Sequence, residues 1–410
     1  MTRAPATKCM LATKRMLNVK HAFAFCIAAA VLTTAVAQQQ SSTQPASQAA
    51  TPTASSAQAR QMTELGTRFL LSAQDQDGGW ATQTGPGISC LVLKALVREP
   101  NVGPSHPAVQ RGVAWVLRSQ RPDGGIYSAE GLYKNYESAV ALSMLAALNL
   151  PEHRERIQAL QKYLKDLQWD ESEDKSASDP WYGGCGYGNH KRPDINNTHM
   201  MLDALRDSGL KSDDPAYQKA LAFVQRCQMV SETNDQPLAA GSTEGGFIYT
   251  PANNGESKAG YVEIAGRRQL RCFGSVTYGG FKSLLYAGLN HDDPRVQAAL
   301  GWIQSHWTLE HNPNMPERQT QEGLFFYYHV FSRALRAWGE DVITSSDGAP
   351  HNWRDELTAQ LARLQRPDGS WVNEADRYFE GVPALTTAYS VLALQEAYPV
   401  TGASSPRRSR

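Results

Sequence analysis

The sequence has no pair of cysteines at metal-ligand spacing. Cys9 and Cys26 fall in the first 37 residues, and Cys90, Cys185, Cys227 and Cys272 stand 95, 42 and 45 residues apart. With no Cys-x-x-Cys pattern, a cysteine-built zinc site is excluded, and no metal or other cofactor is expected. Four scattered thiols in so long a chain read as small hydrophobes, with a disulfide as the alternative in an exported protein. The chain also lacks a basic face or basic block between residues 61 and 400, which excludes a nucleic-acid surface. After residue 37 no apolar run reaches the roughly 18 residues of a membrane-spanning helix.

The ends read as processing or tether segments. Arg3, Lys8, Lys14, Arg15 and Lys20 come without an acid. An apolar run from Ala22 to Leu32 and the small-residue site Ala35-Val36-Ala37 follow. That order predicts a secretory signal peptide over residues 1–37, and so an exported protein of the periplasm or cell envelope. Removing it leaves 35 Lys+Arg against 40 Asp+Glu. Residues 38–60, almost all Gln, Ser, Thr, Ala and Pro, read as a disordered linker, and residues 401–410 as a disordered tail.

Residues 61–400 repeat. A helix ends in or near Gln, a glycine turn follows, and a second apolar helix begins. The turns are Gln74-Asp75-Gln76-Asp77-Gly78-Gly79-Trp80, Gln120-Arg121-Pro122-Asp123-Gly124-Gly125-Ile126, and Gln168-Trp169 continuing after an insert to Trp181-Tyr182-Gly183-Gly184. Then come Gln225 to Gln228 with Glu244-Gly245-Gly246-Phe247, Gln321-Glu322-Gly323-Leu324-Phe325, and Gln365-Arg366-Pro367-Asp368-Gly369-Ser370-Trp371. The glycines supply positive φ, the aromatic residue lies across the preceding helix end, and the Gln bonds nearby backbone. Val109, Gly112, Val113, Val116 and Leu117 before a turn, and Ile88, Leu91, Val92, Ala95 and Leu96 after one, carry helical periodicity. Pro107, Pro215 and Pro294 mark helix starts. The interval between glycine turns varies from 46 to 77 residues, which suits a closed ring with inserts better than an open solenoid. The expected fold is all-α, an (α/α)6 toroid of six helical hairpins. Its inner helices should be apolar along their length, with polar mouths gathered around a central cavity.

These turns resemble the QW-type repeats shared by squalene–hopene cyclases, other class II terpene cyclases and the β subunits of protein prenyltransferases. The likeness covers residues 61–400 and is greatest to exported, single-toroid squalene cyclase-like proteins. Class II cyclases carry Asp-x-Asp-Asp-Thr at an inner-helix mouth, and its middle Asp protonates the substrate. The matching segment here is Asp194-Ile195-Asn196-Asn197-Thr198. The acid position falls on Asn196, and a carboxamide has no proton to donate. The resemblance therefore implies the fold while leaving protonation-initiated cyclisation without its donor. The residues also read simply as caps for the helix that follows. The zinc ligands of prenyltransferases are missing around Phe273–Tyr278, and Tyr327-Tyr328-His329 alone does not make a metal site.

The candidate catalytic residues are Asp194, Asn196, Asn197, His329 and Asp376. Candidate ligand-binding residues are Tyr136, Glu137, His199, Tyr278, Tyr327, Tyr328, Arg377, Glu380 and Tyr389. They stand near the starts of inner helices or in the loop 371–381. Three readings follow. A toroid binding an isoprenoid or other hydrophobic molecule comes first. A polysaccharide lyase or hydrolase is the second, using Asn, His and Tyr around a sugar acid. A non-catalytic binding module at the envelope is the third.

Overall fold

The computed structural model describes residues 53–188 and 191–399. The segment 1–37, the tether up to residue 52 and the tail 401–410 lie outside the described residues. Helix α1 spans Ala54–Ser72 and so begins inside the stretch read as a linker. Thr53 caps it, its hydroxyl accepting the Ser56 N–H at 3.2 Å. The polar composition of residues 54–60 does not prevent a helix, because Ala59, Met62 and Leu70 on one face are buried by the ring and packing supplies the stability.

Eleven further helices follow: α2 Pro86–Val97, α3 Pro107–Leu117, α4 Lys134–Leu148, α5 Arg154–Asp166, α6 Ile195–Asp207, α7 Pro215–Cys227, α8 Gly274–Tyr286, α9 Pro294–Ser305, α10 Leu324–Trp338, α11 Trp353–Leu364 and α12 Pro383–Ala397. They alternate in burial. Every residue of α8 except Leu285 is buried, whereas α5 buries only Leu160, Tyr163 and Leu164. Even-numbered helices form an inner layer and odd-numbered ones a half-exposed outer layer. Each inner helix packs on the next, from α2 through α12, and α12 returns to α2. Gln395 Nε2 donates to Ala95 O at 3.0 Å and Arg98 pairs with Glu396 at 2.9 Å across that seam. The ring is closed.

The repeated Gln staples neighbouring outer helices. Gln74 Nε2 donates to Gly78 O in its own turn at 2.7 Å and to Ala108 O at the start of α3 at 2.8 Å. Gln168 reaches Gly183 O and Ala216 O at 2.8 and 3.0 Å, and Gln228 reaches Gly245 O and Arg295 O at 2.9 and 2.8 Å. Gln365 spans from Gly369 O to Met62 O of α1, both at 3.0 Å, and so ties the last outer helix to the first. Gly183 shows why glycine is required there: its φ is +82°, and a Cβ would stand 1.7 Å from Lys219 O. Trp80 and Trp371 donate their indole N–H to Leu70 O and Leu361 O at 2.6 and 2.9 Å, closing the ends of α1 and α11.

A second device recurs. The N–H after each turn is taken by a hydroxyl on the next inner helix. The pairs are Trp80 with Ser89, Ile126 with Ser138, Cys185 with Thr198, Phe247 with Thr277 and Trp371 with Thr387, at 2.8 to 3.2 Å.

The fifth hairpin departs from the pattern. Gln321 donates to Glu310 O at 3.0 Å instead of stapling outer helices, and Gly323, at φ 69°, precedes α10. Tyr327 and Tyr328 take over, their hydroxyls donating to Thr308 O and Leu309 O at 2.8 and 2.6 Å. The inserts hold short antiparallel ladders: β1 Gln228–Val230 with β2 Thr243–Phe247, β3 Tyr261–Ile264 with β4 Arg267–Leu270, and β5 Val342–Thr344 with β6 Pro350–Asn352. Cys90, Cys185, Cys227 and Cys272 are all free and buried. Among the described residues no helix is long and apolar enough to cross a membrane.

Candidate functional site: the mouth of the ring

The inner helices run side by side with their N-terminal ends at one rim. Asn135 near the start of α4 bonds Asn197 near the start of α6, and Phe326 of α10 stacks near His199 of α6 with centroids 5.9 Å apart. The opposite ends also meet, with Lys94 and Ser143 on Asp207. One stripe of each inner helix therefore faces the axis, and on α6 it reads Asn196, His199, Asp203, Asp207 at helical spacing.

At the mouth, Asp194 caps α6. Its Oδ1 accepts the Asn197 N–H at 2.9 Å and its Oδ2 the Asn197 side-chain amide at 2.8 Å. Asn135 Nδ2 donates to Asn197 O at 2.9 Å, and the Thr198 hydroxyl donates to Asp194 O at 2.8 Å. Burial raises the Asp194 carboxyl to about 6. Three of the four polar residues in the motif are thus consumed by helix capping and turn closure. Asn196 is the exception. It is half-buried, and its Oδ1 has no partner.

Asn196 stands one turn before His199 on α6, and His199 belongs to a connected set with Phe326, Tyr389, Tyr136 and His329. Tyr136 and Tyr389 join hydroxyls at 3.0 Å across the ring, and His329 stacks on Tyr389 at 5.5 Å. Tyr389 also meets Phe326 edge-on at 6.0 Å. His199 and His329 are 0% and 3% exposed. Both ring nitrogens of His199 and Nδ1 of His329 lack a hydrogen-bond partner, as does Asn135 Oδ1. Burial, and then the cations Lys282 and Arg333, hold both imidazoles well below their usual range, so they are neutral at pH 7. Gly279 makes room for His199, because a Cβ there would stand 2.5 Å from the imidazole Cδ2.

Below this layer the axis is filled by ions. Lys282 binds Asp203 at 2.5 Å, and Arg333 binds Asp203 at 3.2 Å and Asp207 at 2.9 Å. Lys94 binds Asp207 at 2.6 Å, and Glu396 pairs with Arg98 and Arg336 at 2.9 and 3.2 Å. Burial lowers Lys282 to about 8. It opposes ionisation of Glu396 too, but Arg98, Arg333 and Arg336 outweigh it and hold that carboxyl at about 2. The expectation of inner helices apolar along their length is corrected by these ion pairs, which hold Asp203, Asp207, Lys94, Lys282, Arg333 and Glu396 on the inner helices, each with a partner.

Other candidate residues sit elsewhere. Tyr278 packs on Tyr327 and Phe331, with centroids 5.6 and 5.1 Å away, in the core between the two layers. Tyr327 and Tyr328 are spent on the backbone bonds described above. Glu380 caps α10. It accepts the Phe326 N–H at 2.7 Å and the Asn373 amide at 2.7 Å, and burial raises it to about 7. Glu137 accepts the Ser128 N–H at 2.9 Å and is likewise raised by burial to about 7. Asp376 and Arg377 are exposed, and Arg377 reaches Glu322 at 3.2 Å. These four stand apart from the imidazoles because capping and loop geometry place them, not the axial stripe. The residues singled out from the sequence did not include Phe326, nor Lys94, Asp203, Asp207, Lys282, Arg333 and Glu396. The i, i+3, i+7 recurrence of polar residues on otherwise apolar helices is the signal that finds them. Among the described residues no group of three His, Cys, Asp or Glu is arranged to hold a metal ion.

No protein-family model matches the chain, and no curated protein matches it. Solved structures do. A D-mannose isomerase is similar over 85% of this chain and 99% of its own, at 13% identity and a TM-score of 0.53. The type II terpene cyclase MstE from Scytonema, in a variant bound to geranylgeranyl dihydroxybenzoate, covers 84% and 98% at 15% identity and 0.48. A glycosidase bound to glucose covers 85% and 98% at 11% identity and 0.48. At such identities the likeness concerns the fold, and with the closed ring of six hairpins it makes this chain an α/α toroid.

Proposed function

We propose that the chain binds a carbohydrate-type ligand at the mouth of its ring, with His199 and His329 placed to exchange protons with it. One observation carries this reading: buried polar atoms on Asn135, Asn196, His199 and His329 lack partners beside the half-exposed rings of Tyr136 and Phe326. A buried polar group without a partner costs about 1–3 kcal/mol, and hydroxyls of a ligand would supply the missing partners. A sugar has an apolar C–H face for the aromatic rings and hydroxyls for the orphaned atoms. Neutral imidazoles accept a proton at one nitrogen and donate at the other.

An isoprenoid fits this chain less well. It would leave those polar atoms unsatisfied, and a hydrocarbon extending down the axis would meet Asp203, Lys282 and Arg333. Asn196 cannot start a cyclisation cascade. A purely structural or docking ring has no need of unpaired imidazoles at its centre. The reading includes export, on the strength of residues 1–37, which places the ligand outside the cytoplasm.

The test is calorimetry and ligand-observed NMR with a panel of mono- and oligosaccharides beside squalene and geranylgeraniol. Saccharide binding that disappears in Asn196→Ala and His199→Phe is the expected result. Binding of an isoprenoid and of no saccharide overturns it.

A further inference from the structure

The described residues expose six large apolar side chains, and four of them stand in two loops: Leu132 and Tyr133 before α4, and Tyr378 and Phe379 before α12. Scattered exposure needs no explanation, but exposure gathered in one place marks a binding surface. Both loops border the mouth. Tyr133 is the N-cap of α4, three residues before Tyr136. The Asn135 N–H donates to Tyr187 O at 3.3 Å, and the Tyr187 ring meets Tyr133 at 5.5 Å. On the other side, Glu380 takes the Phe326 N–H at 2.7 Å, and a Cβ at Gly323, which precedes α10, would stand 3.5 Å from the Tyr378 ring. The loops thus lie on the ends of α4 and α10, the helices that carry Tyr136, Phe326 and His329.

Phe379 is the unusual member. Its φ is +63°, a left-handed conformation that a bulky side chain adopts at a cost and that Gly or Asn takes more readily. Its N–H donates to Asp376 O at 2.8 Å and its O accepts the Val382 N–H at 2.9 Å, which fixes the turn at the start of α12. The ring is 51% exposed and makes no ring contact among the described residues. Arg377 lies over the neighbouring Tyr378 ring at 5.7 Å, so Phe379 is the freer surface. Neither its conformation nor its surroundings call for an aromatic side chain. The charge beside it is acidic. Glu130, Glu374 and Asp376 are exposed, and the one cation of residues 128–133 and 372–382, Arg377, pairs with Glu322 at 3.2 Å. An acidic sugar or an anionic lipid surface is disfavoured there, whereas a neutral sugar chain offers C–H faces to the rings.

We infer that Phe379, with Tyr378 and Tyr133, forms a stacking platform at the rim, so that the ligand is a neutral oligosaccharide with one end in the mouth and its next residues against these rings. The inference rests on the carbohydrate reading of the mouth and names its substrate class.

Calorimetry with glucose, cellotriose, maltotriose and trigalacturonate tests it, on the full chain and on Phe379→Asn. Phosphatidylcholine–phosphatidylglycerol vesicles are the control for a lipid surface. A neutral trisaccharide should bind about tenfold more tightly than glucose, and trigalacturonate should lack that margin. Phe379→Asn should lose the margin at an unchanged or higher melting temperature, because Asn suits the left-handed turn. Equal affinity for glucose and both neutral trisaccharides overturns the platform, as does a margin that survives in Phe379→Asn. A lower melting temperature in that variant overturns it too, by giving the ring a structural role. Vesicle binding that disappears in Phe379→Asn overturns it by assigning the rim to lipid. The mouth is judged separately with Asn196→Ala. If this variant keeps full affinity for glucose, the mouth reading falls and the platform stands on the trisaccharide margin. If it loses glucose while Phe379→Asn keeps the margin, the mouth stands and the platform falls. If no saccharide binds at all, both fall.

Discussion

The two ends of the inner helices face the same axis, yet they treat their polar groups in opposite ways. At the C-terminal end every axial charge has a partner: Asp203, Asp207, Lys94, Lys282 and Arg333 form one network, and Glu396 pairs with Arg98 and Arg336. At the N-terminal end the imidazoles of His199 and His329 and the amide of Asn196 keep unpaired atoms. A satisfied network rigidifies and specifies a core, whereas an unsatisfied one costs stability and persists where a ligand completes it. The first end is the frame of the ring, and the second is its working surface.

Breaking the frame should have the largest effect. Arg333→Met leaves Asp203 and Asp207 short of a buried cation and should destabilise by about 3–5 kcal/mol, read from urea denaturation. Gly279→Ala comes next. The new methyl meets His199 and should cost about 1–3 kcal/mol as an overpacked core position, while saccharide affinity falls as the imidazole moves. A smaller change separates the capping carboxyls from both ends. Glu137 and Glu380 hold protons up to about 7 in the folded chain, above the free carboxyl range. Their contribution is fully present below that range and is lost as pH rises through about 7. The buried histidines contribute in the opposite sense as pH rises past the free imidazole range, so the readout is the difference from the double variant Glu137→Gln/Glu380→Gln: between about pH 5 and 7 the unaltered chain should lose melting temperature relative to that variant as pH rises. The smallest stability effect belongs to His199→Phe, which removes two unpaired nitrogens and keeps the stacking on Phe326. Its stability should stay within about 1 kcal/mol of the unaltered chain while ligand binding is lost. A large loss of stability there would erase the distinction between frame and working surface.

The repeated turns were readable because their chemistry is local. Gly183 needs its positive φ and Gln74 needs a carbonyl within a few residues, so spacing along the chain reveals both. Pro107, Pro215 and Pro294 marked helix starts for the same reason. Within the candidate site, Tyr136, Asn196, His199, His329 and Tyr389 were legible as inner-helix residues near the mouth. Asp194 and Asn197 were legible too, but their role was open, since capping and catalysis use the same residue types. Tyr278, Tyr327, Tyr328 and Glu380 were misplaced because one or two positions along a helix, or a loop doubling back onto a helix end, decide which face a side chain meets.

Composition and periodicity alone determined that the chain forms paired helices joined by glycine turns, and that six such pairs occur. Only the tertiary structure decided which polar residues find partners. Lys282 and Asp203 stand 79 positions apart, and Arg333 and Asp203 130 apart. Their neutralisation, and the placing of His199 one turn above without a hydrogen bond, are products of ring closure. Pairing across the axis depends on distances that no local pattern encodes, and the cost of burying a charge is settled only when every neighbour is in place.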